Sequence, residues 1–300
     1  MSLAEAVERF VPDGSSVAMG TCLESMIPFA AGHELIRRRR ADLTLIGPIA
    51  DILFDQLIGA GCVARIQAAW VGNVSAGLGH AYRRAAEQGL PRAIVVEDYT
   101  NYTISLALWA GAHGMPFAPV RSGQGSDIVN DHPGFADVVS PFDGARVPVV
   151  KAVRPDVAMI AVQRADAEGH AHLWGHFGIT EEAGLAADRI ILLAEDIVDR
   201  DVITSDPNRV LYPAFMVCAV VHCPGGCHPS PVQGYYGRDH DFYTDYHRAT
   251  RTPEGMAAWL DQWVYGIADR AAYLRALGAD RWERLRRLHP APAAPVDYAW

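Results

Sequence analysis

Short apolar runs alternating with helix-length segments constrain the fold of this chain more than any other feature. The runs fall at 17–19, 43–46, 66–69, 93–96 and 117–120, and helical patterns at 28–39, 52–60, 78–88 and 99–113 lie between them. Strands that are apolar throughout are buried on both faces, and helical crossovers join strands in parallel. The expected fold is therefore α/β, a Rossmann-like, largely parallel sheet with helices on both faces. Ligands of such a sheet gather in the loops after the strands' carboxyl ends. Runs at 157–162, 190–193 and 214–221 extend the sheet, with a hairpin-like segment at 165–174 between the first two. Beyond 237 the pattern is helical, over 239–248, 253–265, 270–277 and 279–288. Residues 289–300 read as a loose Pro/Ala-rich tail, leaving 1–288 as one α/β domain with a helical C-terminal portion. The segment 121–147, rich in Gly, Pro and Asp, reads as one long loop, a length that goes with function.

Charge narrows the partners. The net charge is −9, and Lys151 is the one lysine among 26 basic residues, a balance unsuited to nucleic acid or an anionic membrane. The longest wholly apolar run, 214–221, is too short for a bilayer, and Glu5 and Glu8 on a helical pattern do not make a signal peptide. These features predict a soluble cytoplasmic protein. Cys22, Cys62, Cys218, Cys223 and Cys227 are odd in number and set among apolar neighbours, which predicts buried free thiols. Cys223 and Cys227 have no second pair at zinc-site spacing, and His170, His172 and His176 lie in the hairpin, where a core or surface role is favoured. No metal is expected.

Several loops carry candidate chemistry. Asp13-Gly14 opens a turn, Val17 to Met19 form a buried strand, Gly20 begins a tight loop and Pro28 starts a helix. That order presents backbone N–H groups to a ligand, so Gly20, Thr21 and Cys22 are candidates for holding a ligand's oxyanion. The loop Gly123-Gln124-Gly125-Ser126 is the second candidate, because its glycines admit close backbone approach beside the Gln124 amide. Asn73 and Ser75 precede a helix and are placed to hydrogen-bond an acyl group; a serine N-cap accounts for Ser75 equally well. Asp98 reads as the cap of the helix at 99–113. His228 follows the run at 214–221 and reads as ordering a pocket wall or a subunit interface.

Together these segments resemble family I coenzyme A transferases. Asp13, Gly14, Val17 to Met19, Gly20 and Pro28 fit the family's N-terminal signature, with Thr21 and Cys22 in place of its second Gly and its Phe. Pro116-Phe117 leading to Gln124-Gly125-Ser126, Glu97-Asp98-Tyr99, Leu173-Trp174-Gly175 and Cys227-His228-Pro229-Ser230 are similar to α-subunit motifs and run in the same order. The resemblance implies a fold of the sugar-phosphate-isomerase type and a homologous β subunit in an α2β2 or larger heteromer. The active site would lie at the subunit interface. It implies a coenzyme A thioester and an organic acid as substrates, and no bound cofactor. The nucleophilic glutamate, which passes through an acyl-glutamyl anhydride to glutamyl-CoA, is implied on the β subunit, leaving no catalytic residue on this chain.

Asn73, Ser75, Asn101, His228 and Ser230 are then the acyl-pocket candidates. Asn101 stands near the position where related ring-cleaving hydrolases carry a glutamate. An amide cannot act as their general base, which favours transfer over hydrolysis. A CoA-ester or ring-cleaving hydrolase, and outside the enzymes a ligand sensor of related fold, are the other readings. The sensor lacks the expected basic DNA-binding segment.

Overall fold

The computed structural model describes residues 1–130 and 132–286. Helix α1 (Leu3–Phe10) begins in a capping box in which Ser2 and Glu5 satisfy each other's backbone N–H. After the Asp13-Gly14 turn come β1 (Ser16–Ala18), α2 (Phe29–Arg37), β2 (Leu43–Ile49), α3 (Ile52–Gly59) and β3 (Val63–Trp70). A two-rung antiparallel hairpin, β4 (Gly72–Asn73) and β5 (Gly77–Leu78), leads into α4 (His80–Gln88) and β6 (Val95–Asp98). Helix α5 (Asn101–Ala112) is followed by β7 (Phe117–Pro119), α6 (Asp127–Asn130), β8 (Phe135–Val139) and β9 (Arg146–Lys151). Next come β10 (Val157–Ala165), its antiparallel partner β11 (Ala171–His172), α7 (Thr180–Ala186), β12 (Arg189–Ile197), α8 (Arg200–Thr204) and β13 (Val217–His222). Helices α9 (His240–Ala249), α10 (Pro253–Leu260), α11 (Arg270–Leu277) and α12 (Ala279–Leu285) finish the described chain.

The main sheet runs β13-β12-β10-β1-β2-β3-β6 with every neighbouring pair parallel. From β1 the chain steps outward through β2, β3 and β6, then returns to β10 on the other side of β1 and steps outward through β12 and β13. The order therefore reverses between β1 and β10. Loops leaving those two strands part in opposite directions, and the crevice between them is the expected binding position. Successive strand residues face opposite sides, so Leu45, Met159 and Ile191 enter one buried cluster while Ile46, Ile160 and Leu192 enter the other. A parallel sheet largely apolar on both faces is thus what these runs dictated.

Four expectations need correction. The run at 117–120 is not part of the main sheet: β7 pairs antiparallel with β9 in a separate sheet of order β7-β9-β8. The segment 121–147 is not one loop, since it holds α6, β8 and the start of β9, joined by a turn in which Asp143 accepts the Ala145 N–H and Gly144 takes φ +74°. The helix after β6 is capped by Thr100, whose hydroxyl accepts the Thr103 N–H, and Asp98 stays in the strand. Residues Ala214–Met216 form a 3-10 turn, so strand β13 starts only at Val217. The tail at 289–300 lies outside the described residues. No described helix is long and apolar enough to cross a membrane.

Candidate active site

The loop after β1 fills the crevice and is held in a strained path. Gly20 sits at φ +67°, and a Cβ there would lie 2.5 Å from the Ile49 carbonyl oxygen, so only glycine lets this loop pass the end of β2. Leu23 and Met26, at φ +61° and +53°, and Asp51 after β2, at +48°, are three of the five described non-glycine residues in the left-handed region. Such conformations cost about 1 kcal/mol or more each and collect where surrounding structure enforces them at ligand sites. Here the enforcement is visible. Ile179 N–H donates to the Thr21 carbonyl at 2.8 Å, Met26 N–H to Pro231 at 2.9 Å, and His176 Nδ1–H to Cys22 at 3.1 Å. Thr21 Oγ1 and Cys22 Sγ each meet Thr180 Oγ1 at 2.9 Å. Among the described residues, the backbone N–H groups of Thr21 and Cys22 have no acceptor. Burial pushes the Cys22 thiol up to about 11, so it stays protonated and is no nucleophile.

Arg238 ties three loops together at the same edge. Its Nη2 donates to Asp51 Oδ2 at 2.5 Å and to Ser75 Oγ at 3.2 Å, and its guanidinium lies 3.8 Å from the centre of the Tyr243 ring. Asp51 Oδ1 accepts the Val74 N–H at 3.1 Å, joining the β2 and β3 loops. Among the described residues the other nitrogen, Nη1, has only a 3.5 Å contact to the Glu24 carbonyl. Beside it opens a hollow of about 300 Å³, lined by Cys22 to Ser25, His176, Pro231, Gln233 and Arg238. Gln233 Oε1 is buried without a hydrogen-bond partner among the described residues. The crevice therefore offers a guanidinium edge, a side-chain amide and unengaged backbone N–H groups.

The expected acyl-pocket residues divide by placement. Ser75 reaches Arg238 from the β4–β5 hairpin; it is not a helix cap, because α4 starts after Gly79 with no side-chain cap. Asn73 is buried and spans the hairpin, donating to the Tyr243 carbonyl at 2.7 Å and accepting the Ser75 N–H at 3.0 Å. Ser230 donates to the Glu24 carbonyl at 2.9 Å and accepts the Ile27 N–H, so it fastens the strained loop from behind. His228 is fully buried: Tyr273 O–H meets Nδ1 at 2.8 Å and Nε2–H donates to Asp239 at 2.9 Å. Burial depresses His228 to about 4, so the imidazole is neutral, and Arg281 rather than His228 supplies the charge opposite Asp239. Although burial opposes it, hydrogen bonds from His228 and Arg281 hold Asp239 below the usual carboxylate range.

The remaining candidates stand apart from this cluster. Asn101 is exposed in the first turn of α5, after edge strand β6, which lies three strand spacings, about 14 Å, from β1. Gly123 to Ser126 follow β7 of the small sheet, where Ser126 Oγ donates to the Gly123 carbonyl at 2.6 Å, and Gln124 and Gly125 border a hollow with Asp137 and Pro148. Among the described residues no hydrogen bond joins that loop to Gly20, Thr21 or Cys22.

The histidines of the hairpin are spoken for. His170 pairs with Asp166 at 2.7 Å, and His172 Nε2–H is shared by the Ile203 and Asp206 carbonyls. Asp166, Glu168 and His170 approach one another closely, but Asp166 Oδ1 already accepts three backbone N–H groups of that turn, which accounts for the cluster without a cation. Arg238, Asp51 and Gln233 were not singled out in the sequence. The one local signal was Gly237-Arg238-Asp239 just ahead of a helix, with Asp239 accepting the Phe242 N–H as its cap.

Comparison with known proteins accords with this geometry. Residues 1–222 match the family described as coenzyme A transferase. The chain is 40% identical to the A-type subunit of 3-oxoadipate CoA-transferase from Pseudomonas knackmussii, over 90% of this chain and 94% of the relative. It is 30% identical to the glutaconate CoA-transferase of Acidaminococcus fermentans, whose crystal structure superimposes with a TM-score of 0.91 over 96% of this chain and 95% of that one. The decarboxylase AibA/AibB is also 30% identical, with a TM-score of 0.74 over 87% of this chain and 97% of that chain.

Proposed function

This chain belongs to the coenzyme A transferase family, and from that premise we propose that it is the α-type subunit of a heteromeric transferase moving CoA between dicarboxylic acids. A homologous β subunit completes the site in the cytoplasm and contributes the nucleophilic glutamate. That carboxylate attacks the thioester carbonyl and expels the CoA thiolate, giving an acyl-glutamyl anhydride. The thiolate then attacks the glutamyl carbonyl, releasing the first acid and leaving glutamyl-CoA, and the second acid reverses the two steps. Free N–H groups at Thr21 and Cys22 are suited to the oxyanion, for which each preorganised donor is worth about 3 kcal/mol. The loop from Gly123 to Ser126 and the Asn101 amide are assigned to the acyl-CoA path at the interface with β.

The observation that carries the substrate class is Arg238. Asp51 engages one guanidinium nitrogen and orients the group, while the other has only the 3.5 Å contact to the Glu24 carbonyl among the described residues, and the residue lines the hollow beside Cys22. A guanidinium edge binds a carboxylate, and the named acids of the two transferase relatives, 3-oxoadipate and glutaconate, each carry a second one. With its β subunit, Arg238→Lys should raise KM for a dicarboxylate acceptor about tenfold or more, the cost of one charge-assisted contact, and leave a monocarboxylate acceptor nearly unchanged. Equal loss on both acceptors, with complex formation intact, would remove Arg238 from substrate recognition.

A further inference from the structure

A second polar hollow lies away from the crevice, on the sheet face roofed by the small sheet. Its volume is about 340 Å³. The floor comes from the early and middle parts of β1, β2 and β3 and from β6, with Thr44 opposite Arg65 and Gln67 opposite Glu97 in adjacent strands. The crevice loops leave the other ends of these strands; Thr44 and Ile49 are about 17 Å apart along β2. Polar side chains on the inner face of a parallel sheet depart from the apolar pattern that such sheets otherwise keep.

The floor is internally neutral. Arg65 Nη1 donates to Glu97 Oε1, and Gln67 Nε2 donates to Glu97 Oε2 at 2.6 Å. Glu97 is thus matched, and its side chain is 10% exposed. Two further cations line the hollow, Lys151 at the end of β9 and Arg154 just before β10. Neither has a carboxylate partner among the described residues, and Arg154 touches only the Met115 carbonyl at 3.5 Å. The next carboxylate along the chain, Asp156, is taken by the backbone N–H and hydroxyl of Ser16 at 2.7 Å. Gly134 in the roof is required, since a Cβ there would fall 2.8 Å from the Tyr99 hydroxyl.

We propose that this hollow is a second binding site, for a small anion carrying at least two negative charges. Two cations with no carboxylate partner among the described residues, over a neutral hydrogen-bonding floor in a chain of net charge −9, concentrate positive potential at one place. Lys151 and Arg154 neutralise the ligand, while Thr44 and the Tyr99 hydroxyl offer polar contacts around it. Phosphate and carboxylate ligands share this chemistry. The inference does not depend on the transferase reading.

Isothermal titration of inorganic pyrophosphate, and separately of succinate, into the full chain tests it. The wild type should bind at least one of them, and the tighter one tells phosphate from carboxylate. A Lys151→Ala/Arg154→Ala variant, altered only at exposed side chains, should bind about tenfold more weakly or worse, with unchanged thermal melting. Arg238→Lys should bind pyrophosphate as the wild type does. No binding of either anion, equal affinity in the double variant, or loss of pyrophosphate binding in Arg238→Lys would overturn the proposal.

Discussion

Glu195 shows how one buried carboxylate sets a pH limit on the crevice wall. It sits in β12, accepts the Gly225 N–H at 2.7 Å and the Tyr236 hydroxyl at 2.6 Å, and so holds the loop that carries Ser230 and Gln233. Burial raises it to about 7 from an ordinary 4.5. A raised folded-state value means that its stabilisation is complete below the unfolded value and is lost as pH climbs through about 7. Linkage over that interval amounts to about 3 kcal/mol. Glu195→Gln should therefore raise the melting temperature relative to wild type at pH 8 and much less at pH 5. An equal shift at both values would show that Glu195 ionises in the folded protein at its ordinary value. His228 works in the opposite sense. Held neutral at about 4, it withdraws stability as pH falls from about 6.5, where the unfolded imidazole takes a proton.

The loop and strand elements separate what was legible in the sequence from what was not. Apolar runs, broken only by Thr44 and Gln67, announced β1, β2, β3, β10 and β12, because burial on both faces leaves little room for polar residues. The small sheet was illegible for the converse reason. Phe117, Val139 and most of β8 are exposed, Pro148 interrupts β9, and the Asp143-Gly144 turn was hidden inside a Gly- and Pro-rich stretch. In the crevice, Gly20 and the loop around it were legible from the strand–Gly–Pro order. Arg238 and Asp51 were not, because their pairing joins positions 187 residues apart.

Two glycines of the candidate loops differ in kind. Gly20→Ala meets backbone and Ala50 as well as a left-handed φ, whereas Gly125, at φ +80°, has nothing within 4 Å of a new Cβ. Urea denaturation should find Gly20→Ala destabilising by about 3 kcal/mol and Gly125→Ala by about 1 kcal/mol. Equal losses would mean that the β1 loop relaxes away from β2. Gly125→Val should leave folding and β association intact while lowering turnover of the complex; a normal kcat/KM would place that loop outside the site.

At the scale of the whole molecule, the proposed function makes the crevice half of a site. It offers unengaged backbone N–H groups and a guanidinium, while of its carboxylates Asp51 is locked to Arg238 and Val74 and Glu24 stands exposed at the mouth. A similar frame is found in the decarboxylase AibA/AibB, so the fold alone does not fix the acyl chemistry. The most direct test is to mix this chain and its β partner with a dicarboxylyl-CoA, trap the intermediate with borohydride, and locate the modified residue by peptide mass spectrometry. The expected result is one modified glutamate on the β subunit, none on this chain, unchanged labelling in a Glu24→Gln variant, and no turnover by this chain alone. A label on Glu24, or CoA transfer without the β subunit, would contradict the assignment of this chain as the non-nucleophilic half.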